Sequence, residues 1–373
     1  MRPTRRLAGV LVLALIVYFY GASSEVSWLF LLSFWILALA AVAYFYARWS
    51  SAGIRAEVAV RSAVPGAGSP LADLPGVWVR TAPLLPVFEG DTIEVELVLG
   101  ARSGRGPARL SGALAGAEMS AATGLVPAAG WTAVREAGPV ARGPLSAEGW
   151  TLETGDHIGL YRELRVTAGR EVCLALPVFT SLSDATSVRE LEASLAAPRA
   201  GAGSELFGVR EYRRGDSLRR IHWRSSARRG ELVAREYEPP GLHLLGLFLD
   251  PRPASRQAAD QVARLAASEA WDCLRTGGRV VAWAPGLAAT ELRESRSLWS
   301  ILEWLARYPR GTASEGEPPA VAEAVVFVTA DRQELVEALH SVRRTGAQAR
   351  AWLVGAEPDL GVPARSVGLA WPF

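Results

Sequence analysis

The chain has 373 residues, with 40 basic and 38 acidic side chains and a net charge of +2 at pH 7. A balance this even carries no polyelectrolyte signal and argues against a protein that coats nucleic acid. The two cysteines, Cys173 and Cys273, sit far apart in apolar segments. They exclude a disulfide framework and a zinc-finger spacing, and they fit a reducing compartment.

Every basic residue is arginine and there is no lysine. Beside so much Ala, Gly and Pro this reads as a GC-rich coding bias, so an arginine is not by itself evidence of a ligand. The length predicts two domains with room for a further segment.

The N-terminus supplies that segment. Leu7–Ala22 and Val26–Ala47 are two apolar runs, separated only by the turn around Ser23, Ser24 and Glu25. A membrane helix needs about 20 apolar residues; the second run meets this and the first approaches it. Arg2, Arg5 and Arg6 precede the first run, Arg48 and Arg55 follow the second, and the turn carries no basic residue. The positive-inside rule then puts both ends in the cytoplasm and the turn outside. A cleaved signal peptide is the competing reading, but no convincing small-residue cleavage site is seen and a second span follows directly. Residues 1–50 are therefore expected to form a transmembrane helical hairpin in the inner or plasma membrane, with most of the chain cytoplasmic.

Residues 51–182 read as β. Thr92–Leu99 alternates apolar and polar with period two, and Arg170–Phe179 is an apolar strand ending in proline and an aromatic. Gly/Pro clusters punctuate the segment, which suggests a small sandwich. Residues 183–205 read as a flexible connector, the first part of a linker region spanning 183–241.

From residue 242 to 373 the pattern is α/β. Strands are expected at Leu242–Asp250, Arg279–Ala284, Ala324–Thr329 and Ala349–Gly355. Helices are expected around Ala259–Cys273, Ser297–Tyr308 and Arg332–Gly346. Strands without alternation, interleaved with helices, imply a parallel sheet covered on both faces.

The stretch VREYRRGDSLRRIHWRSSARRGELVAREYE, Val209–Glu238, holds nine arginines against five carboxylates. Gly215–Asp216 signals a turn, and Asp216 is a good N-cap. Leu218, Ile221 and Ser225 follow at helical spacing. Arg228 and Arg229 suit the negative end of a helix dipole, and Gly230 suits a C-cap, so a short helix is expected over 217–229. Residues 231–238 read as a strand. Arginine pairs carboxylates through two parallel hydrogen bonds and stacks on rings such as Tyr212 and Trp223. Three readings stand: an ion-paired structural staple, a protein-docking surface, and a nucleic-acid or phosphate patch. The mixed charge disfavours the last. His222 reads as a structural hydrogen-bonding residue, since no nucleophile pattern accompanies it.

This block resembles the signature of the bacterial family called domain of unknown function 58, approximately Arg-x-Tyr-x-x-Gly-Asp-x-x-Arg-x-Ile-x-Trp-x-x-x-Ala-Arg. Arg210, Tyr212, Gly215, Asp216, Arg219, Ile221, Trp223, Ala227 and Arg228 fall on that pattern. With Arg235 they are the candidate signature or partner-binding residues. A second segment, Thr154–Arg165, resembles the family's Asp-Pro-Phe-Gly-Leu stretch, with His157 and Ile158 replacing Pro and Phe.

The resemblance implies a C-terminal domain similar to von Willebrand factor type A. It also implies a role as partner of a MoxR-type AAA+ ATPase in maturing or assembling envelope proteins. Type A domains often hold Mg²⁺ with Asp-x-Ser-x-Ser after the first strand. Here that position holds Asp250, with Arg252 and Ala254 in place of the serines and Ser255 one place off. A degenerate site without metal is the expectation, with Asp250 and Asp331 as weak candidate ligands and Asp250 otherwise a residue of a helix-capping region. No cofactor, no catalytic residue and no nucleic-acid partner are expected, because phosphate loops, His-Glu-x-x-His and nucleophile elbows are absent. The expected partners are the ATPase, envelope proteins and membrane lipid. The alternative is a hydrolase or transferase built on Asp216, His222 and an arginine clamp.

Overall fold

The computed structural model describes residues 1–70, 86–102, 105–182, 206–211, 226, 233–237, 244–285, 295–309, 317–356, 358 and 360–372. By its own packing the chain divides after Val178 into two units, each taken here by itself.

The first unit begins with a two-residue strand, β1 (Arg2–Pro3), and two antiparallel helices, α1 (Arg5–Ser24) and α2 (Ser27–Ser51). The reversal is tight: Glu25 takes a left-handed φ of 54° and Val26 caps α2. Small residues line the seam, with Ala14 and Gly21 on α1 and Ser33, Ala40, Ala43 and Ala47 on α2. Lipid offers helices no hydrophobic reason to associate, so close backbone approach must do it. A β-carbon added at Gly21 would stand 2.9 Å from that of Leu29. The outward faces, including Val12, Ile16, Phe19, Phe34, Val42 and Phe45, are apolar and exposed. Only 17% and 22% of the most apolar stretches are buried, so these are not the core helices of a soluble domain. Their mean hydropathies of 2.0 and 2.2 and lengths of 20 and 25 residues suit membrane spans.

Ten strands follow: β2 (Ile54–Val64), β3 (Val87–Phe88), β4 (Thr92–Ala101), β5 (Ala108–Leu114), β6 (Ala117–Thr123), β7 (Trp131–Ala137), β8 (Gly143–Ser146), β9 (Thr151–Gly155), β10 (Tyr161–Val166) and β11 (Glu171–Leu176). They form sheets in the orders β2-β4-β7, β1-β10-β9-β5-β6 and β3-β11-β8. The alternation expected of Thr92–Leu99 is realised: Ile93, Val95, Leu97 and Leu99 are buried and the residues between them are not. They share one core with Leu110, Trp150 and Leu152 from the five-stranded sheet. Trp150 is fully buried and donates its indole N–H to the Ala113 carbonyl at 3.2 Å. Its ring lies over Gly112, where a β-carbon would come within 2.4 Å of it.

The second unit opens with the segment Thr180–Leu182 and a two-stranded antiparallel ribbon of β12 (Leu206–Glu211) and β13 (Val233–Tyr237). The α/β part contains β14 (Leu244–Leu249), α3 (Arg256–Arg275), β15 (Arg279–Trp283), α4 (Leu298–Arg307), β16 (Glu323–Val328), α5 (Gln333–Arg344), β17 (Gln348–Val354) and β18 (Ala364–Val367). The five strands are all parallel, in the order β15-β14-β16-β17-β18. Phe248, Val281, Val326, Val328 and Leu353 pack with Leu335, Leu339 and Val342 of α5. The alternate residues Leu247, Leu249, Val325 and Phe327 are also buried. On that opposite face the Glu269 carboxylate of α3 accepts from the Trp352 indole N–H at 2.7 Å. Helices therefore cover both faces, which is why these strands carry continuous apolar runs.

Segment Thr180–Leu182 lies along α3. The Thr180 N–H donates to Ser268 Oγ, and the Ser181 hydroxyl and Leu182 N–H donate to Asp272. A polar network ties β16 and β17 to α3. Arg350 of β17 donates to both oxygens of Glu269 and, at 2.8 Å, to Glu323 of β16. Burial opposes the Arg350 charge, but the two carboxylates outweigh it and raise its pKa.

Candidate functional site

The Thr154–Arg165 segment forms the turn between β9 and β10, and it seats the β-sheets on the helical hairpin. Asp156 organises it: its carboxylate accepts from the N–H groups of Ile158, Leu160 and Tyr161 at 3.0, 3.1 and 2.6 Å. The fixed turn then presents its own carbonyls to α1. The Thr4 hydroxyl donates to Gly159 and Leu160, and Arg6 donates to Ile158. Leu160 is 1% exposed and packs with Leu7 of α1 and Ala40 and Ala43 of α2. His157 Nε2 meets the Tyr46 hydroxyl at 2.8 Å. Ser50 of α2 donates to the Gly155 carbonyl, and Arg105 donates to the Trp49 carbonyl and lies 4.2 Å over its ring. The family-like residues here do structural work.

In the α/β part the chain reverses direction across the sheet between β14 and β16. Open sheets gather their sites at the carboxyl ends of strands at such a switch point. Asp250 follows β14 and Thr329 follows β16. Asp250 is fully buried, and each of its oxygens is taken twice. Oδ1 accepts from the Arg252 N–H at 3.0 Å and Arg332 Nε at 3.3 Å. Oδ2 accepts from the Thr329 N–H at 3.3 Å and its hydroxyl at 2.5 Å. The Thr329 hydroxyl in turn accepts from the Ala254 N–H at 3.0 Å.

This donor set does not fit Mg²⁺. A carboxylate offers about four lone-pair directions, and here all four are in use. The Arg332 cation stands on Asp250, where a metal would need to be. The Arg252 side chain, expected from sequence to oppose a cation at Asp250, turns instead to Glu334 at 2.7 Å. Asp331 is exposed. Asp250 does not cap the following helix: Ser255 does, accepting from the Ala258 N–H at 3.0 Å. Among the described residues no three His, Cys, Asp or Glu side chains come together as a metal site.

The arginine-rich block begins and ends in the β12–β13 ribbon. Its register sets Arg210 opposite Ala234 and Arg235 opposite Val209. The strand expected at 231–238 is present as Val233–Tyr237, and its partner, not anticipated, is Leu206–Glu211. Tyr212, Gly215, Asp216, Arg219, Ile221, Trp223, Ala227 and Arg228 lie outside the described residues, as do His222 and nearly all of the helix expected over 217–229.

Residues 208–291 match the model of a family described as protein of unknown function DUF58. The chain carries a DUF58 segment. No curated protein and no solved structure matched. The DUF58 segment runs from the ribbon through β14, α3 and β15, and it contains Asp250 and Arg252. Of the groups that close Asp250, the Arg252 N–H comes from within it and Thr329 and Arg332 from beyond it.

Both cysteines are chemically quiet. Burial, aided by the Glu171 charge, pushes the Cys173 thiol up to about 11. Burial and then Glu323 push Cys273 to about 12. Neither has the thiolate character of a nucleophile.

Proposed function

We propose that this is a membrane-anchored interaction protein without catalysis of its own, working with a MoxR-type AAA+ ATPase in the maturation or assembly of envelope proteins. The observation that carries the non-enzymatic part is Asp250. The place where a doubly wound sheet would hold a reactive carboxylate is filled by donors from the same chain. An Asp in that state can neither take a proton from a substrate nor bind a metal without dismantling Thr329 and Arg332. The anchor supports the membrane setting: two apolar helices locked to a β-domain by the Asp156 turn. The arginines flanking the hairpin favour a cytoplasmic location for both units, at the inner or plasma membrane, where an ATPase has its nucleotide. The partner class is what the resemblance of the arginine-rich block implies.

The test is reconstitution of the full-length protein in lipid nanodiscs with the MoxR-type ATPase of the same organism. Complex formation that requires a slowly hydrolysed ATP analogue, and weakens at least tenfold in a folded Arg228→Ala variant, would make the arginine block the docking surface. Binding unchanged in that variant would keep the partnership and leave the block structural. Absence of any nucleotide-dependent complex would sink the partnership.

A further inference from the structure

Beside the first turn of α1 the first unit contains a cleft of about 740 Å³, floored by β5, β6 and β9. Its walls carry Arg5 and Arg6 from α1, Arg109 from β5 and Arg162 from β10. Two carboxylates are present, and both are engaged. Glu153 pairs with Arg162 at 3.2 Å, and Asp156 accepts the three turn amides. The side chains of Arg5 and Arg109 make no hydrogen bond or ion pair among the described residues. The cleft therefore keeps uncompensated positive charge.

A second observation is independent of the arginines. It comes from Thr4. Its hydroxyl is spent on the Gly159 and Leu160 carbonyls, so α1 starts without a side-chain cap and its first amides are not satisfied by one. Anions suit such a helix start.

We propose that this cleft binds the phosphate headgroup of an anionic phospholipid. Its position selects lipid over a soluble anion. It opens at the end of an apolar helix, where Tyr44, Tyr46 and Trp49 on the neighbouring end of α2 form the aromatic belt of a membrane surface. Headgroup phosphates lie at that level, and arginines there add attraction. The inference rests on insertion of the helices in a membrane and not on the ATPase partnership, so the two fail separately.

The experiment is native mass spectrometry of the purified full-length protein released from neutral-detergent micelles holding equal amounts of phosphatidylglycerol and phosphatidylcholine. The expected result is retained phosphatidylglycerol in at least tenfold excess over phosphatidylcholine. Arg109→Gln should lower retention about fivefold, and Arg5→Gln by a similar factor. Arg343→Gln in the other unit should leave it unchanged. Arg109 is exposed and lies in a β-strand, so its variant tests the cleft without touching the charges that orient the helices. Equal retention of the two lipids, or retention indifferent to R109Q and R5Q in proteins with unchanged melting temperatures, would overturn the proposal. Full displacement of phosphatidylglycerol by millimolar glycerol 3-phosphate or inorganic phosphate would overturn it too, making the cleft a site for a soluble anion.

Discussion

The backbone N–H and the hydroxyl of Thr4 both donate to the carbonyl oxygen of Leu160, at 2.9 and 3.0 Å. One residue stands at the entry of α1 and the other in a turn of the β-domain. The bond pair works because Asp156 has already fixed the turn and aimed its carbonyls outward. The side chain of Leu160 then fills the groove between the helices.

Removing Asp156 should therefore loosen the seat. Asp156→Ala strands three backbone N–H groups, that of Leu160 in a buried setting, at a cost of about 1–3 kcal/mol. The melting temperature in micelles should fall, and proteolysis between residues 155 and 161 should accelerate. Asp156→Asn, which keeps one acceptor oxygen, should fall between wild type and Ala.

Gly112 should tolerate no side chain. Its β-carbon would collide with the Trp150 ring at 2.4 Å, and Trp150 is fully buried and hydrogen-bonded. Gly112→Ala should destabilise the β-domain by about 1–3 kcal/mol, the usual range for overpacking. Near-ultraviolet circular dichroism of the tryptophans would register the displaced ring.

Asp250 and Arg332 should behave as a coupled pair. Arg332→Met leaves a fully buried carboxylate without its cation, which costs about 3–5 kcal/mol. Adding Asp250→Asn should recover a large part of that loss, so the double variant should be more stable than R332M alone. Equal stability of the two would mean the charge on Asp250 is not what Arg332 neutralises. Millimolar Mg²⁺ should leave the wild-type melting temperature unmoved.

The Arg350 network should be comparably sensitive. Arg350→Met leaves both Glu269 and Glu323, each nearly inaccessible, without a counter-ion. A loss of about 3–5 kcal/mol is expected in denaturant titration.

The thiols should resist alkylation. With Cys273 at about 12 and Cys173 at about 11, about one thiol in ten thousand and one in a thousand is ionised at pH 8. Iodoacetamide should label neither until the protein is unfolded in urea. Both folded values lie above the ordinary 9.0, so the folded state holds these protons more tightly. Their contribution to stability is intact below pH 9 and is lost as pH rises from 9 through the folded values.

Periodicity made much of the architecture readable from residues alone. The hairpin, the alternation in β4, and four strands and three helices of the α/β part follow from where apolar residues recur. β18 escaped because Ala364–Val367 is mostly exposed and has no apolar rhythm. β1 escaped because two residues cannot carry a pattern; only its partner, 160 positions on, makes it a strand. Asp250 was legible as a strand-end carboxylate, but its closure by Arg332 was not. That pairing depends on β14 and β16 being neighbours, a matter of strand order and not of local spacing. The cleft was likewise hidden: Arg5, Arg109 and Arg162 become neighbours only once β5, β9 and β10 are assembled.

The reversal at Glu25–Val26 has a consequence for what the protein can sense. With the hairpin inserted as proposed, the chain offers the far side of the membrane little more than a two-residue bend, with one carboxylate. So small a protrusion holds no pocket, and no folded surface on which a partner could dock. Under that placement, whatever instructs the first unit must reach it from the side that holds its β-sheets, or through the lipid around its helices.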